Sequence, residues 1–231
     1  MIIGTDVTSS IRTAIVAFAA LFPVVNPVGD APIFLSLTRQ YPLAVQKVLA
    51  RQIAAYGFFL LAGSLLLGTE VLSFFGISLK VVQIAGGLVL ASTGWTLLNQ
   101  SPDEVSPKEA KGGTLQDALQ HAFYPLTLPI TVGPGCISIA ITLGAHLRFQ
   151  TRQEHGWHPL FAFALVGMAL VCVLVALCYG NADRLVKVLG TGGTSILTRL
   201  SAFILLAIGV QIIWNGLATG FDELTGRLVS H

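Results

Sequence analysis

Charge is what this sequence has least of. Of its 231 residues 13 are Lys or Arg and 11 are Asp or Glu, 10% in all, where an ordinary soluble domain has about 25%. Together with 54% hydrophobic residues and a mean hydropathy of +0.78, this excludes a soluble globule and indicates a polytopic membrane protein. The length accommodates about six spans of about 20 residues each, with no soluble domain of useful size.

The few basic residues are scattered and the net charge is only +2, which gives no footing for a nucleic-acid partner. Cysteine is scarce as well. Cys136, Cys172 and Cys178 lie in apolar stretches without metal-ligand spacing and read as small buried hydrophobes. His146, His155 and His158 fall in one expected polar loop with no helical frame and no carboxylate pair, so a solvated loop is the reading and no metal is expected. No nucleophile partnered by a base, no phosphate loop and no haem spacing is present; the chain is read as neither an enzyme nor a cofactor carrier. The opening MIIGTDVTSSIR lacks the basic start and cleavage site of a signal peptide, so the first apolar stretch is expected to be retained as a span.

Proline and glycine, by contrast, cluster inside two of the apolar runs. In LFPVVNPVGDAP, Leu21 to Pro32, the residues Pro23, Pro27 and Pro32 each lack an amide hydrogen and crowd the preceding turn, so an apolar run of about 25 residues (about Thr13 to Leu37) is expected to break. Backbone groups freed in hydrocarbon cost several kcal/mol unless they are buried in protein or line a wet cavity. LTLPITVGPG, in the fourth apolar stretch from about Ala122 to Ala145, is a second such passage.

The remaining spans are expected at about Ile53–Leu67, Val81–Leu98, Leu160–Tyr179 and Ile196–Leu217. Arg39, Lys47 and Arg51 mark the turn before the second of the six, with Pro42 inside it, and GTGG at 190–193 marks another turn. The polar stretch 101–117, SPDEVSPKEAKGGTLQD, divides two halves of three spans, repeat 1 at about 10–100 and repeat 2 at about 118–219. An odd number of spans per half requires the second half to insert upside down. The expected fold is therefore a single all-α integral membrane domain over 1–231, with six transmembrane spans in two inverted three-span repeats and broken helices in spans 1 and 4. Basic residues favour both termini outside, in the periplasm where there is one: Arg39, Lys47, Arg51, Lys108, Lys111, Arg184 and Lys187 fall opposite the termini, and Arg12, Lys80, Arg148, Arg152 and Arg227 beside them.

The candidate site is built on the two breaks. Asn26 offers an amide and Gly29 lets backbone approach a small ligand; Asn26 and Asp30 equally suit the capping of two half-helices. Asp30 is the one carboxylate expected inside an interrupted span, either facing a cavity as partner to an ammonium or a coupling proton, or placed at the start of the helix beginning near Ala31 and Pro32. Thr127 and Thr131 supply hydroxyls. Gly133 and Gly135 flank Pro134, and a helix starting there directs its amides and positive dipole end at the break; a plain proline kink packed on Gly86 and Gly87 is the simpler alternative. Gln83 and Arg199 occupy comparable places near the starts of spans 3 and 6, with Arg199 either snorkelling to the interface or reaching inward.

NPVGDAPIFLSLT, with FFGISL before QIAGGLVLASTGW and with PLTLPITVGPG, resembles the MarC-related family of bacterial inner-membrane proteins over nearly the whole chain. That resemblance implies six spans and a place among small neutral amino-acid transporters, with the substrate held between paired broken helices. Residue by residue it marks Pro23, Asn26, Pro27 and Gly29 in the first motif and Pro129, Thr131, Gly133, Pro134 and Gly135 in the second. Gln83 stands where relatives commonly have arginine and Asp30 where they often have asparagine. The expectation is a secondary transporter of glycine- or alanine-type substrates, with a proton or sodium ion as candidate coupling ion and the lipid bilayer as surroundings. A non-transporting membrane scaffold and a small-solute channel are the alternatives, and the glycine-rich faces leave a homo-oligomer open.

Overall fold

The computed structural model describes residues 3–99, 115–150 and 159–229, and every described element is helical. Most of the polar stretch 101–117, along with His155 and His158, lies outside the described residues. The elements are α1 (Ile3–Val25), α2 (Ala31–Thr38), α3 (Leu43–Phe74), α4 (Leu79–Asn99), α5 (Leu115–His121), an irregular wide-turn segment (Ala122–Thr131), α6 (Pro134–Gln150), α7 (Pro159–Gly180) and α8 (Ala182–Val229). Among the described residues five helices are long and apolar enough to cross a membrane, or six where the bent pair Ala118–Thr131 and Pro134–Gln150 counts as one span; the bend is 71°.

Three sequence expectations are corrected. Lys47 and Arg51 stand in α3 rather than in the turn before it, which shrinks to 39–42. Pro42 stands just before that helix, and no proline follows it there, while Lys and Arg are good helix formers. Gln46 closes the corner by donating its Nε2 hydrogens to the carbonyls of Thr38 (3.1 Å) and Tyr41 (3.0 Å). His146 belongs to α6, not to a loop. The turn expected over 190–193 contracts to Gly190, whose φ of 65° is the one non-helical point in α8.

Where the ends meet fixes the direction of each helix. Late in α6, Arg148 pairs with Glu70 late in α3 and also donates to the Leu66 carbonyl. Helices α4 and α8 run antiparallel with their backbones in contact: Gly87 faces the Gly209 carbonyl and Ile213, whereas Gly94 faces Ala202 and Leu206. Small residues allow this approach, and in lipid close packing replaces the hydrophobic drive that joins helices in water. The start of α1, the end of α6 and the start of α7 line one cavity and so share one face, here the N-terminal face. At the opposite end Phe34 of α2 stacks on Tyr179 of α7, ring centroids 4.7 Å apart.

Candidate functional site: two helix interruptions joined by Tyr179

The first interruption rests on one residue. Pro23 is accommodated in the last turn of α1, and Pro32 in the first turn of α2, where its missing amide would have had no partner. Between them Asn26 has φ 46°, a left-handed conformation that asparagine tolerates better than most residues. On either side the helical bonding resumes, Asn26 N to Phe22 O at 2.9 Å and Asp30 N to Asn26 O at 3.0 Å. The Asn26 side chain closes the turn: its Oδ1 accepts from the Gly29 amide (3.2 Å) and its Nδ2 donates to Asp30 Oδ1 (3.2 Å). A β-carbon at Gly29 would collide with that side-chain amide. Asp30 occupies the N-cap position of α2 without bonding any first-turn amide; its carboxylate is oriented by Asn26 instead.

Because Asn26 supplies both the turn conformation and the side-chain bonds that close the turn, Asn26→Ala is expected to cost about 2 kcal/mol and Asn26→Gly roughly half as much, since glycine keeps the conformation and loses only those bonds. Thermal unfolding of the two variants in detergent checks the order; equal melting points would remove the conformational contribution.

The second interruption is a tandem device that the sequence reading only half saw. In YPLT and LPIT, Tyr124 and Leu128 are extended, as residues preceding proline tend to be. In each, the threonine returns a hydroxyl to a carbonyl five residues back: Thr127 to Ala122 O at 2.7 Å, Thr131 to Leu126 O at 2.8 Å. The Thr127 carbonyl in turn accepts from the Val132 amide at 2.8 Å. Both threonines are buried, and their hydroxyls find partners in backbone carbonyls of the irregular segment, as buried polar groups require. The recurring proline and threonine at a spacing of four was the available signal for Pro125.

Beyond Thr131 the chain bends at Val132 and Gly133, and α6 begins at Pro134. Gly135 packs directly under Leu90 of α4, and Gly86 of α4 abuts Ser138, whose Oγ donates to the Val82 carbonyl at 3.1 Å. Gly86 and Gly87 therefore serve different partners, α6 and α8. Gln83 approaches Thr142 of α6 at 3.4 Å. Pro129 and Pro134 are exposed at the sides of the bend, Pro27 is buried, and Arg199 is exposed on α8.

Tyr179, near the end of α7, connects the two interruptions and was not among the sequence candidates. Its hydroxyl lies 3.1 Å from Thr131 Oγ1. The Thr131 hydrogen is already given to Leu126, so Tyr179 is the donor and keeps its oxygen lone pairs available. Its ring lies on Phe34, one helical turn past Asp30. Tyr179 is the only hydroxyl-bearing residue in Pro159–Gly180, a signal that sequence could have offered.

These features define a polytopic helical membrane protein in which two polar, proline-interrupted stretches from opposite halves of the chain meet against one buried tyrosine. Residues 11–221 match the model of the MarC family of integral membrane proteins, and the chain belongs to that family. It is 32% identical to the Bacillus subtilis membrane protein YvbG over 90% of this chain and 95% of that protein. It is 30% identical to the inner membrane protein MarC of Citrobacter koseri over 85% and 90%, and 28% identical to a membrane protein of Archaeoglobus fulgidus over 92% and 96%. No solved structure matches the chain.

Proposed function

We propose that this is an inner-membrane secondary transporter of small neutral amino acids of the glycine or alanine type. The two interruptions are read as broken membrane spans in two inverted repeats. What carries the reading is the Tyr179 bridge: one side chain bonds Thr131 at 3.1 Å and stacks on Phe34 at 4.7 Å, bringing a carboxylate, a free phenolic oxygen and the amino end of α6 toward one place. A zwitterion suits that set, its ammonium directed to Asp30 and the Tyr179 oxygen and its carboxylate to the first amides of α6. The antiparallel contact of α4 with α8, the third span of each half, supports the inverted arrangement, since inversion requires equivalent helices to run in opposite directions.

Purified protein in proteoliposomes is expected to show saturable uptake and counterflow of labelled glycine or alanine. Absence of flux in both directions, with no binding across a panel of small amino acids, would leave a scaffold; flux that neither saturates nor exchanges would mark a channel. Tyr179→Phe removes one buried hydrogen bond and the phenolic acceptor, and is expected to lower transport efficiency about tenfold, the equivalent of about 1.4 kcal/mol. Full activity in this variant would deprive the bridge of a part in transport.

A further inference from the structure

A cavity of about 560 Å³ with a mixed polar and apolar wall opens at the N-terminal face between the start of α1, the end of α6 and the start of α7. Arg12, Thr13, His146 and Gln150 line it, Val16 and Leu143 are the lining residues farthest along α1 and α6 toward the interruptions, and no carboxylate stands among the described lining residues. His146 and Gln150 hold each other, Nε2 to Nε2 at 3.0 Å. Arg12 has no ion pair or hydrogen bond among the described residues.

Two helices measure how far the cavity stops short of the interruptions. From Val16 to Asn26 is ten residues of α1 and its turn, about 15 Å at the helical rise; from Leu143 back to Pro134 is nine residues of α6, about 14 Å. The agreement puts the cavity floor one seam away from the site. That seam, where α1, α6 and α7 meet, is apolar and closed: Ala17, Leu21, Ala140 and Met168 are all 0% exposed. The Gly167 backbone there lies against the Ala14 carbonyl and Ala17.

We infer that the cavity is the outer vestibule of the substrate path, that Arg12 is its contact for the substrate carboxylate, and that the α1–α6–α7 seam is the gate beyond it. This rests on the transport reading. A guanidinium with no bonded partner among the described residues, set beside hydroxyls, attracts a carboxylate and repels cations before the substrate meets the seam. Neutrality of the zwitterion leaves orientation rather than net attraction as the consequence: the molecule enters carboxylate first, the end that the head of α6 accepts.

The test uses the full chain with its three cysteines replaced by alanine and Val16→Cys placed at the floor. In nanodiscs an anionic thiol reagent is expected to modify that cysteine about tenfold faster than a cationic one of equal size. Arg12→Gln should abolish the preference, and Arg12→Lys restore it. In proteoliposomes modification should block glycine flux, and Arg12→Gln should raise KM about fivefold with the maximal rate unchanged. Equal labelling rates, or flux that survives complete modification, would overturn the vestibule while the flux itself upholds transport. Absence of flux before any modification, with the charge preference intact, would overturn transport and with it the role assigned to Arg12.

Discussion

Asp30→Asn is expected to raise KM for glycine or alanine by about tenfold to a hundredfold, the range for removing a charge-assisted hydrogen bond worth about 1.5–3 kcal/mol. The substitution is nearly isosteric and keeps an oxygen to accept from Asn26 Nδ2, now at 3.2 Å, so the turn should persist and only the charge disappear. Initial rates of uptake against substrate concentration measure the change, with melting temperature as the control for folding. The pH profile separates the two roles assigned to this carboxylate. Flux that depends on pH in the native chain and not in the variant marks Asp30 as a proton carrier; a KM rise with parallel profiles marks it as partner to the ammonium. An unchanged KM with an unchanged profile removes Asp30 from the site.

The second large effect is structural. Gly144 lies at the crossing of α6 with α3, where an added β-carbon would overlap the Leu65 carbonyl. That oxygen is backbone and cannot swing aside as a flexible side chain would, and a valine there has to separate the helices. Gly144→Val is expected to destabilise by about 3 kcal/mol or more and to weaken the nearby pairing of Arg148 with Glu70 and Leu66. Gly63→Ala on α3 is the control, for nothing lies within 4 Å of its added carbon; there alanine should be neutral or stabilising by up to about 1 kcal/mol through helix propensity. Thermal aggregation in detergent distinguishes the pair, and equal melting points would contradict the crossing.

That this chain is an all-helical membrane protein, and where most of its long helices run, can be read along the sequence. Low charge and apolar runs of bilayer length leave little choice, because each helix satisfies its own backbone. Val81–Leu98 and Leu160–Tyr179 became α4 and α7 within two residues at each end. The sequence also marked LFPVVNPVGDAP and LTLPITVGPG as unusual. It could not say which residue turns the chain in the first, since Pro23 and Pro32 fit within helices and the reversal falls to Asn26. It could not tell in advance that the threonine hydroxyls of the second would be engaged by backbone carbonyls.

Which polar groups meet depends on how the helices pack. Tyr179 lies 48 residues from Thr131 and farther still from Phe34, and nothing local in α7 points it toward either. That pairing follows from how α2 and α6 pack against α7, just as the division of Gly86 and Gly87 between α6 and α8 follows from which helix lies on each side of α4. Hydropathy and proline are properties of a segment and can be read along the chain; a site made of residues from several segments exists only once their small faces have packed.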